Sequence, residues 1–313
     1  MRFKRFILPA FLLPLLAGSC VHQLQAFTPP PEVRGVSVLV VDARTGQIMY
    51  QRNANEKRQI GSTQKLLTSL IVAEDGNLDH EVVIDPADEA VEPTTLQLKP
   101  GTAYTRRYLL TALLVKSPND VARALGRDNA GSIEAFAEKM NAKAASLGAT
   151  SSHFVNPNGL PSDEQYSTAM DLSRIARADY AIPLLRSIMT IKYLSFRYAD
   201  GHVHVLRNTN ETMRDNWFCN GMKTGYTDKA RHCLVTSGSY NGRDVICIIL
   251  GSSKEAIFSD SARMLRWALD IPQQTVWQQI TSQPATPDPD ADNTPVPKKH
   301  HRHHRHTQSQ QAQ

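Results

Sequence analysis

Gly61-Ser62-Thr63-Gln64-Lys65, followed by Leu66, Leu67, Leu70 and Ile71, is the stretch that orders the rest of the chain. Its apolar residues recur at helical spacing behind Ser62, which predicts a helix opening at that serine. A serine and a lysine three positions apart lie on one helix face, one turn from each other. A serine hydroxyl is a poor nucleophile until a neighbouring base takes its proton. A lysine can be that base near neutrality only if its pKa falls from about 10.4 by roughly three units, which demands burial and a nearby cation. Alone, Ser-x-x-Lys at a helix start is most simply an N-cap beside a solvated lysine, so its surroundings decide.

Upstream, Val36–Val41 and Ile48–Tyr50 flank the turn cluster Asp42-Ala43-Arg44-Thr45-Gly46, a hairpin signal. Downstream, residues 105–125, 132–147 and 168–178 read as helices. The period then changes. Tyr193–Tyr198 and His202–Leu206 flank Ala199-Asp200-Gly201, and strands are predicted over 221–226, 231–239 and 244–251, the last two joined by Asn241-Gly242. A final helix over 258–269 places Phe258, Ala262, Leu265 and Leu269 on one face. This order predicts an α+β fold: an antiparallel sheet flanked by helices, with an inserted all-helical subdomain over about 77–190.

Two further motifs stand behind the first. Ser117-Pro118-Asn119 is a Ser-x-Asn, and Lys223-Thr224-Gly225 is the only Lys-Thr-Gly in the chain. Ser-x-Asn recurs at Ser239-Tyr240-Asn241, in a predicted hairpin turn, so single motifs carry little. In this order, on helix start, helical subdomain and strand, the three resemble the penicillin-recognising serine enzymes of the β-lactamase/transpeptidase-like fold. Asp42-x-x-Thr45-Gly46, Leu98-Lys99-Pro100-Gly101, Asn119-Asp120, Phe154-x-Asn156-Pro157-x-Gly159-Leu160, Ser167-Thr168-Ala169-x-Asp171-Leu172, Asn208-Thr209-Asn210 and Gly221 to Thr227 extend the likeness. Together they resemble the low-molecular-mass D-alanyl-D-alanine carboxypeptidases, a family of serine peptidases that are penicillin-binding proteins. The likeness covers about 36–251. Gln165-Tyr166 and Ala230-Arg231-His232-Cys233 depart from the family pattern without touching the three motifs.

The resemblance implies a serine carboxypeptidase that acts on peptidoglycan stem peptides through an acyl-enzyme and is inhibited by β-lactams. Ser62 is the expected nucleophile and Lys65 its base, with Lys223 as the cation that lowers the pKa of Lys65. The backbone N–H groups of Ser62 and Tyr226 are the expected oxyanion hole, and Gly225 is expected to let substrate approach its strand. In the resembled enzymes Ser117 relays a proton to the leaving group, Asn119 holds the substrate amide, and Lys223 with Thr224 meets the terminal carboxylate. Many family carboxypeptidases carry an arginine just before the Phe of the last helix. Here Ala256-Ile257 precede Phe258, and Lys254 is the nearest cation, which keeps DD-endopeptidase cleavage of cross-links as the alternative.

A class A-like β-lactamase ranks below both. Glu134, Glu138, Glu164 and Glu211, the glutamates between Asn119 and Lys223, do not open a Glu-x-x-Leu-Asn. A non-catalytic envelope tether ranks low because Ser62, Lys65, Ser117, Asn119 and Lys223 are intact. No cofactor is expected, and no metal, since His202 and His204 bring no third ligand. Asn156-Pro157-Asn158-Gly159 reads most simply as a turn.

The ends carry other signals. Arg2, Lys4 and Arg5 precede an apolar run over 6–17, too short to span a bilayer, which predicts a signal peptide over 1–19. Leu16-Ala17-Gly18-Ser19-Cys20 resembles a bacterial lipobox, making Cys20 a candidate lipid anchor on a linker over 20–34. Cleavage after Ser19 or Ala26 is the plainer alternative. Residues 271–313, rich in Pro and His and ending in a cationic stretch from Lys298 to His306, are expected to be a disordered tail. Most of the net charge of +5 resides at these ends. The near-neutral body between them, a single catalytic domain over 35–270, has no electrostatic footprint for nucleic acid. These readings predict a protein exported to the bacterial cell envelope or periplasm. Cys219, Cys233 and Cys247 lie in or beside apolar strands and read as buried thiols.

Overall fold

A computed structural model describes residues 29–91 and 93–272. The expected signal segment, Cys20 and the expected tail beyond 272 lie outside the described residues.

The opening hairpin is β1 (Ser37–Asp42) and β2 (Ile48–Arg52), closed by Thr45, whose N–H and hydroxyl both donate to Asp42 Oδ1 at 2.7 and 2.8 Å. A 3₁₀ turn over Gly61–Gln64 runs into α1 (Lys65–Asp75). The inserted segment carries β3 (Glu81–Val83), α2 (Pro86–Glu89), β4 (Ala103–Thr105), α3 (Arg106–Lys116), α4 (Asn119–Ala130) and α5 (Ile133–Ser146). It ends with α6 (Ala169–Ala181) and α7 (Pro183–Met189), and one short antiparallel pair, β3 with β4, accompanies its helices. β5 (Tyr193–Arg197) and β6 (Val203–Arg207) form a separate two-stranded sheet. Then come α8 (Thr212–Asp215), β7 (Cys219–Gly221), β8 (Thr224–Thr227), β9 (Arg231–Tyr240), β10 (Arg243–Ser252) and α9 (Ile257–Ala268).

The main sheet is antiparallel in the order β2-β1-β10-β9-β7, with β8 also on β9. Alternation along β10 assigns its two faces. Ile246, Ile248 and Leu250 join the larger core with α1 and α6, whereas Val245, Cys247 and Ile249 pack with Met264 and Leu265 of α9. Asn241 and Gly242 at φ 48° and 73° give the β9–β10 hairpin the two left-handed positions that its predicted turn requires. All three cysteines of the body are buried free thiols.

Two predicted elements are broken, and both breaks position the site. The expected helix over 105–125 is two helices. Pro118 has no N–H to donate and disfavours a helical residue before it, so α3 ends with Ser117 at φ 68° and α4 restarts at Asn119. The expected strand over 221–226 is β7 and β8, separated at Met222, whose φ is 83°. Short-range apolar periodicity does not register a single reversed residue, which explains both misreadings.

Candidate active site

Ser62 lies within the 3₁₀ turn and caps nothing: the cap position is Ile60, with no side-chain hydrogen bond. Three residues per turn eclipse positions i and i+3, which brings Lys65 Nζ to 2.7 Å from Ser62 Oγ. The ammonium position is fixed by two further oxygens, Asn119 Oδ1 and the Asn158 carbonyl, each at 2.7 Å. Neither can donate a hydrogen, so a neutral Lys65 spends its two N–H groups on them and turns its lone pair toward the Ser62 hydroxyl. That is the arrangement a general base needs.

The electrostatics point the same way. Lys65 is fully buried, and burial holds its pKa well below the lysine range; Lys223 adds to the lowering and buried Asp120 opposes it. Lys223 is thus the second cause, not the first. Burial also brings Lys223 itself down to about 7, so near neutrality it is only partly charged. Its Nζ donates to the Thr224 carbonyl at 3.0 Å.

Ser62, Ser117, Asn119, Thr224, Gly225 and Tyr226 line one cavity of about 540 Å³, while Lys65 and Lys223 sit behind its wall. Asn119 uses both ends of its amide: Oδ1 accepts from Lys65 and Nδ2 donates to the Pro93 carbonyl at 2.5 Å. One N–H of Nδ2 is thereby left for another acceptor. The same turn of α4 holds the cavity wall, since Asn119 N–H donates to Thr94 O at 2.8 Å and Asp120 Oδ2 accepts from the N–H of Leu96 at 2.9 Å.

Strand register sets where the Tyr226 N–H points. Lys223 and Val235 exchange both backbone hydrogen bonds, and residues 224–227 continue that ladder opposite 234–231. Hydrogen-bonded pairs alternate along an antiparallel ladder, so Thr224 and Tyr226 turn their N–H groups away from β9, on the side of the Ser62 turn. The Tyr226 side chain does other work: it is exposed, and its hydroxyl donates to Asp228 Oδ1 at 2.9 Å.

Gly225 also has a packing role that the spacing of motifs does not reveal. A Cβ there would stand 2.7 Å from Ile60 O, 2.9 Å from Thr63 N and 3.0 Å from Ser62 N. The missing side chain makes room for the turn that carries Ser62. The Asn156–Gly159 segment is likewise more than a turn. Asn158 supplies the carbonyl on Lys65, and Gly159, at φ +85°, presses so close that a Cβ would meet Gly61 O at 2.3 Å. Thr209, which sequence spacing does not mark as a neighbour of Thr224, accepts the Thr224 hydroxyl at 2.7 Å. The quoted Asn-Pro-Asn-Gly and Asn-Thr-Asn runs were the available signals, but nothing in one dimension aims them at Lys65 or Thr224.

With this geometry in place, known proteins sharpen the reading. A family model described as D-alanyl-D-alanine carboxypeptidase matches residues 24–254. A D-alanyl-D-alanine carboxypeptidase of Mycobacterium tuberculosis is 35% identical over 255 residues, 79% of this chain and 87% of that protein. A D-alanyl-D-alanine endopeptidase of Pseudomonas aeruginosa is 32% identical over 82% of this chain and 86% of its own length. A crystal structure of a D-alanyl-D-alanine carboxypeptidase from M. tuberculosis H37Rv superposes with a TM-score of 0.74 at 32% identity, covering 80% of this chain and 96% of that one.

Proposed function

The chain belongs to the D-alanyl-D-alanine carboxypeptidase family of serine peptidases, and from that premise we propose how its residues remove the terminal D-alanine of peptidoglycan stem peptides. Ser62 Oγ attacks the carbonyl carbon of the penultimate D-alanine as Lys65 takes the hydroxyl proton. The Ser62 and Tyr226 N–H groups hold the oxyanion. Collapse expels the D-alanine amine, protonated through Ser117, and water then hydrolyses the Ser62 ester. A β-lactam enters the same route and stalls as the acyl-enzyme. The observation that carries this reading is Lys65 Nζ, fully buried, held by two carbonyl oxygens and 2.7 Å from Ser62 Oγ.

Carboxypeptidase action benefits from a cation for the free carboxylate in addition to Lys223 and Thr224. Lys254 lies on the cavity wall, where Asp228 and Glu211 are already engaged by Tyr226 and Arg214. Endopeptidase cleavage is the second reading, favoured by the apolar Ile257 and Phe258 beside Lys254 on the same wall. Digestion of a synthetic pentapeptide and of intact sacculi, with mass spectrometry of both, separates them. Release of D-alanine from the pentapeptide is expected. Loss of cross-linked dimers with an untouched pentapeptide would replace the first reading by the second.

Family members act on the cell wall in the envelope, and no helix among the described residues is long and apolar enough to cross a membrane. We infer export by the segment 1–19 and anchoring by lipidated Cys20, on the strength of the Leu16–Cys20 sequence. Fractionation tests the anchor: wild type is expected with membranes and Cys20→Ala in the soluble envelope fraction, whereas a soluble wild type excludes it.

A further inference from the structure

A second cleft, of about 620 Å³, opens where the β1–β2 turn, α6, the start of α7 and β10 meet, and it shares no lining residue with the Ser62 cavity. Its neighbourhood lies far from the nucleophile. Ser239 is seven residues beyond His232 of the catalytic cavity along β9, roughly 23 Å at strand rise.

Arg44, Arg174, Arg177 and Arg186 line this cleft against one carboxylate, Asp244, among the described residues. Asp244 already accepts the Ser239 hydroxyl. Arg177 is fixed by backbone, not by acids: Nε donates to Ala43 O at 3.0 Å and Nη2 to Arg44 O at 2.9 Å. Arg186 lies over the Tyr180 ring, 5.4 Å from its centroid. Arg174 keeps Nη1 on buried Asp171 at 2.6 Å. With Asp171 on Arg174, Asp42 within electrostatic reach of Arg44, and Asp244 on the lining, four guanidinium groups face three carboxylates and keep a positive excess, and their remaining planar N–H forks match phosphate or carboxylate oxygens.

The cleft continues into another of about 350 Å³ that shares Tyr180, Arg186 and Asp244. This half is hydroxyl and amide. Asn220 Nδ2 donates to Tyr180 Oη at 3.0 Å and to Ser239 Oγ at 2.7 Å, and the hydroxyls of Ser187 and Thr190 stand on the same wall. One end suits anionic groups and the other suits polyol hydroxyls.

We propose that this groove is a second, non-catalytic binding site for an anionic, hydroxyl-rich polymer carrying phosphate or carboxylate groups, which holds the protein at a distance from its reacting centre. The test titrates the full chain with a poly(glycerol phosphate) oligomer, with polygalacturonate, with neutral dextran and with phosphatidylglycerol vesicles. Arg44→Glu/Arg186→Glu is the variant, because both side chains are exposed and Arg177, which ties elements together, is left in place. At least one of the two polyanions is expected to bind, more weakly as salt rises, and the variant is expected to lose tenfold or more in affinity while fluorescent penicillin still labels Ser62 at the wild-type rate. The two polyanions distinguish phosphate from carboxylate. Because residues 298–306 are also cationic, a variant that binds as well as wild type would overturn the site. Equal binding of dextran, or binding of vesicles with neither polyanion, would overturn it as well.

Discussion

At the residue scale, the proposed mechanism gives the two buried lysines opposite dependences on pH. Lys65 must lose its proton to act as base, and burial with its neighbour Lys223 moves that loss well below the lysine range. Lys223 must keep its proton to attract a carboxylate, and loses it near about 7. The acylation rate with a D-Ala-D-Ala peptide should therefore rise as Lys65 deprotonates and fall as Lys223 does, giving a bell-shaped profile. Replacing Lys65 with Ala should cost about 10² to 10⁴ in acylation, the usual worth of general base catalysis, and remove the ascending limb. Stopped-flow acylation across pH checks both. A Lys65→Ala variant that keeps the wild-type ascending limb would assign the base elsewhere.

At the scale of elements, the site is an encounter between a 3₁₀ turn and an edge strand. Three backbone atoms of residues 60–63 lie within 3.0 Å of where a Gly225 Cβ would stand, so Gly225→Ala must push β8 and the turn apart. Misplacement of about 1 Å can cost about 10² in rate. A loss of that size in penicillin acylation is expected from Gly225→Ala, with the far-ultraviolet circular dichroism of the wild type. Unchanged acylation would mean that Ser62 and Tyr226 do not act across that gap. The reversed backbone at Ser117 serves a similar end, since it turns α3 into α4 over the cavity and gives both Ser117 and Asn119 a place on its wall.

For the whole molecule, buried charge sets how stability follows pH. Asp179 of α6 is fully buried under α1, where its Oδ1 accepts the Ser69 hydroxyl at 3.1 Å and its Oδ2 has no partner among the described residues. Burial raises its pKa well above the carboxylate range. The folded state thus keeps a proton that the unfolded chain releases near about 3.9. Its contribution is fully present below that pH and is lost as pH climbs toward the folded value. Lys223 has the opposite sign: the unfolded chain holds its proton to about 10.4 while the folded state releases it near 7, so stability gains above 7. Asp179→Asn removes the acidic liability and preserves an acceptor for Ser69. Thermal melts should show the variant more stable than wild type at pH 8 and level with it at pH 4. A wild-type advantage at pH 8 would show that the carboxylate is stabilised when charged.

What the sequence determined by itself is whatever repeats at short range or stands at fixed spacing. The β9–β10 hairpin was legible in Asn241-Gly242 because that dipeptide tolerates left-handed backbone, and the order of Ser62, Lys65, Ser117, Asn119 and Lys223 along alternating element types carried the family and the α+β class. The reversed residues Ser117 and Met222 were not legible, because a single backbone inversion leaves apolar periodicity intact. Tertiary structure alone decided that Asn158 gives Lys65 its second carbonyl, that Gly225 yields space to the Ser62 turn, and that arginines of α6 and α7 share one cleft with Arg44 of the β1–β2 turn. Each of these joins residues tens of positions apart. Local propensity cannot encode such contacts, which exist only once the sheet and helices are packed against each other.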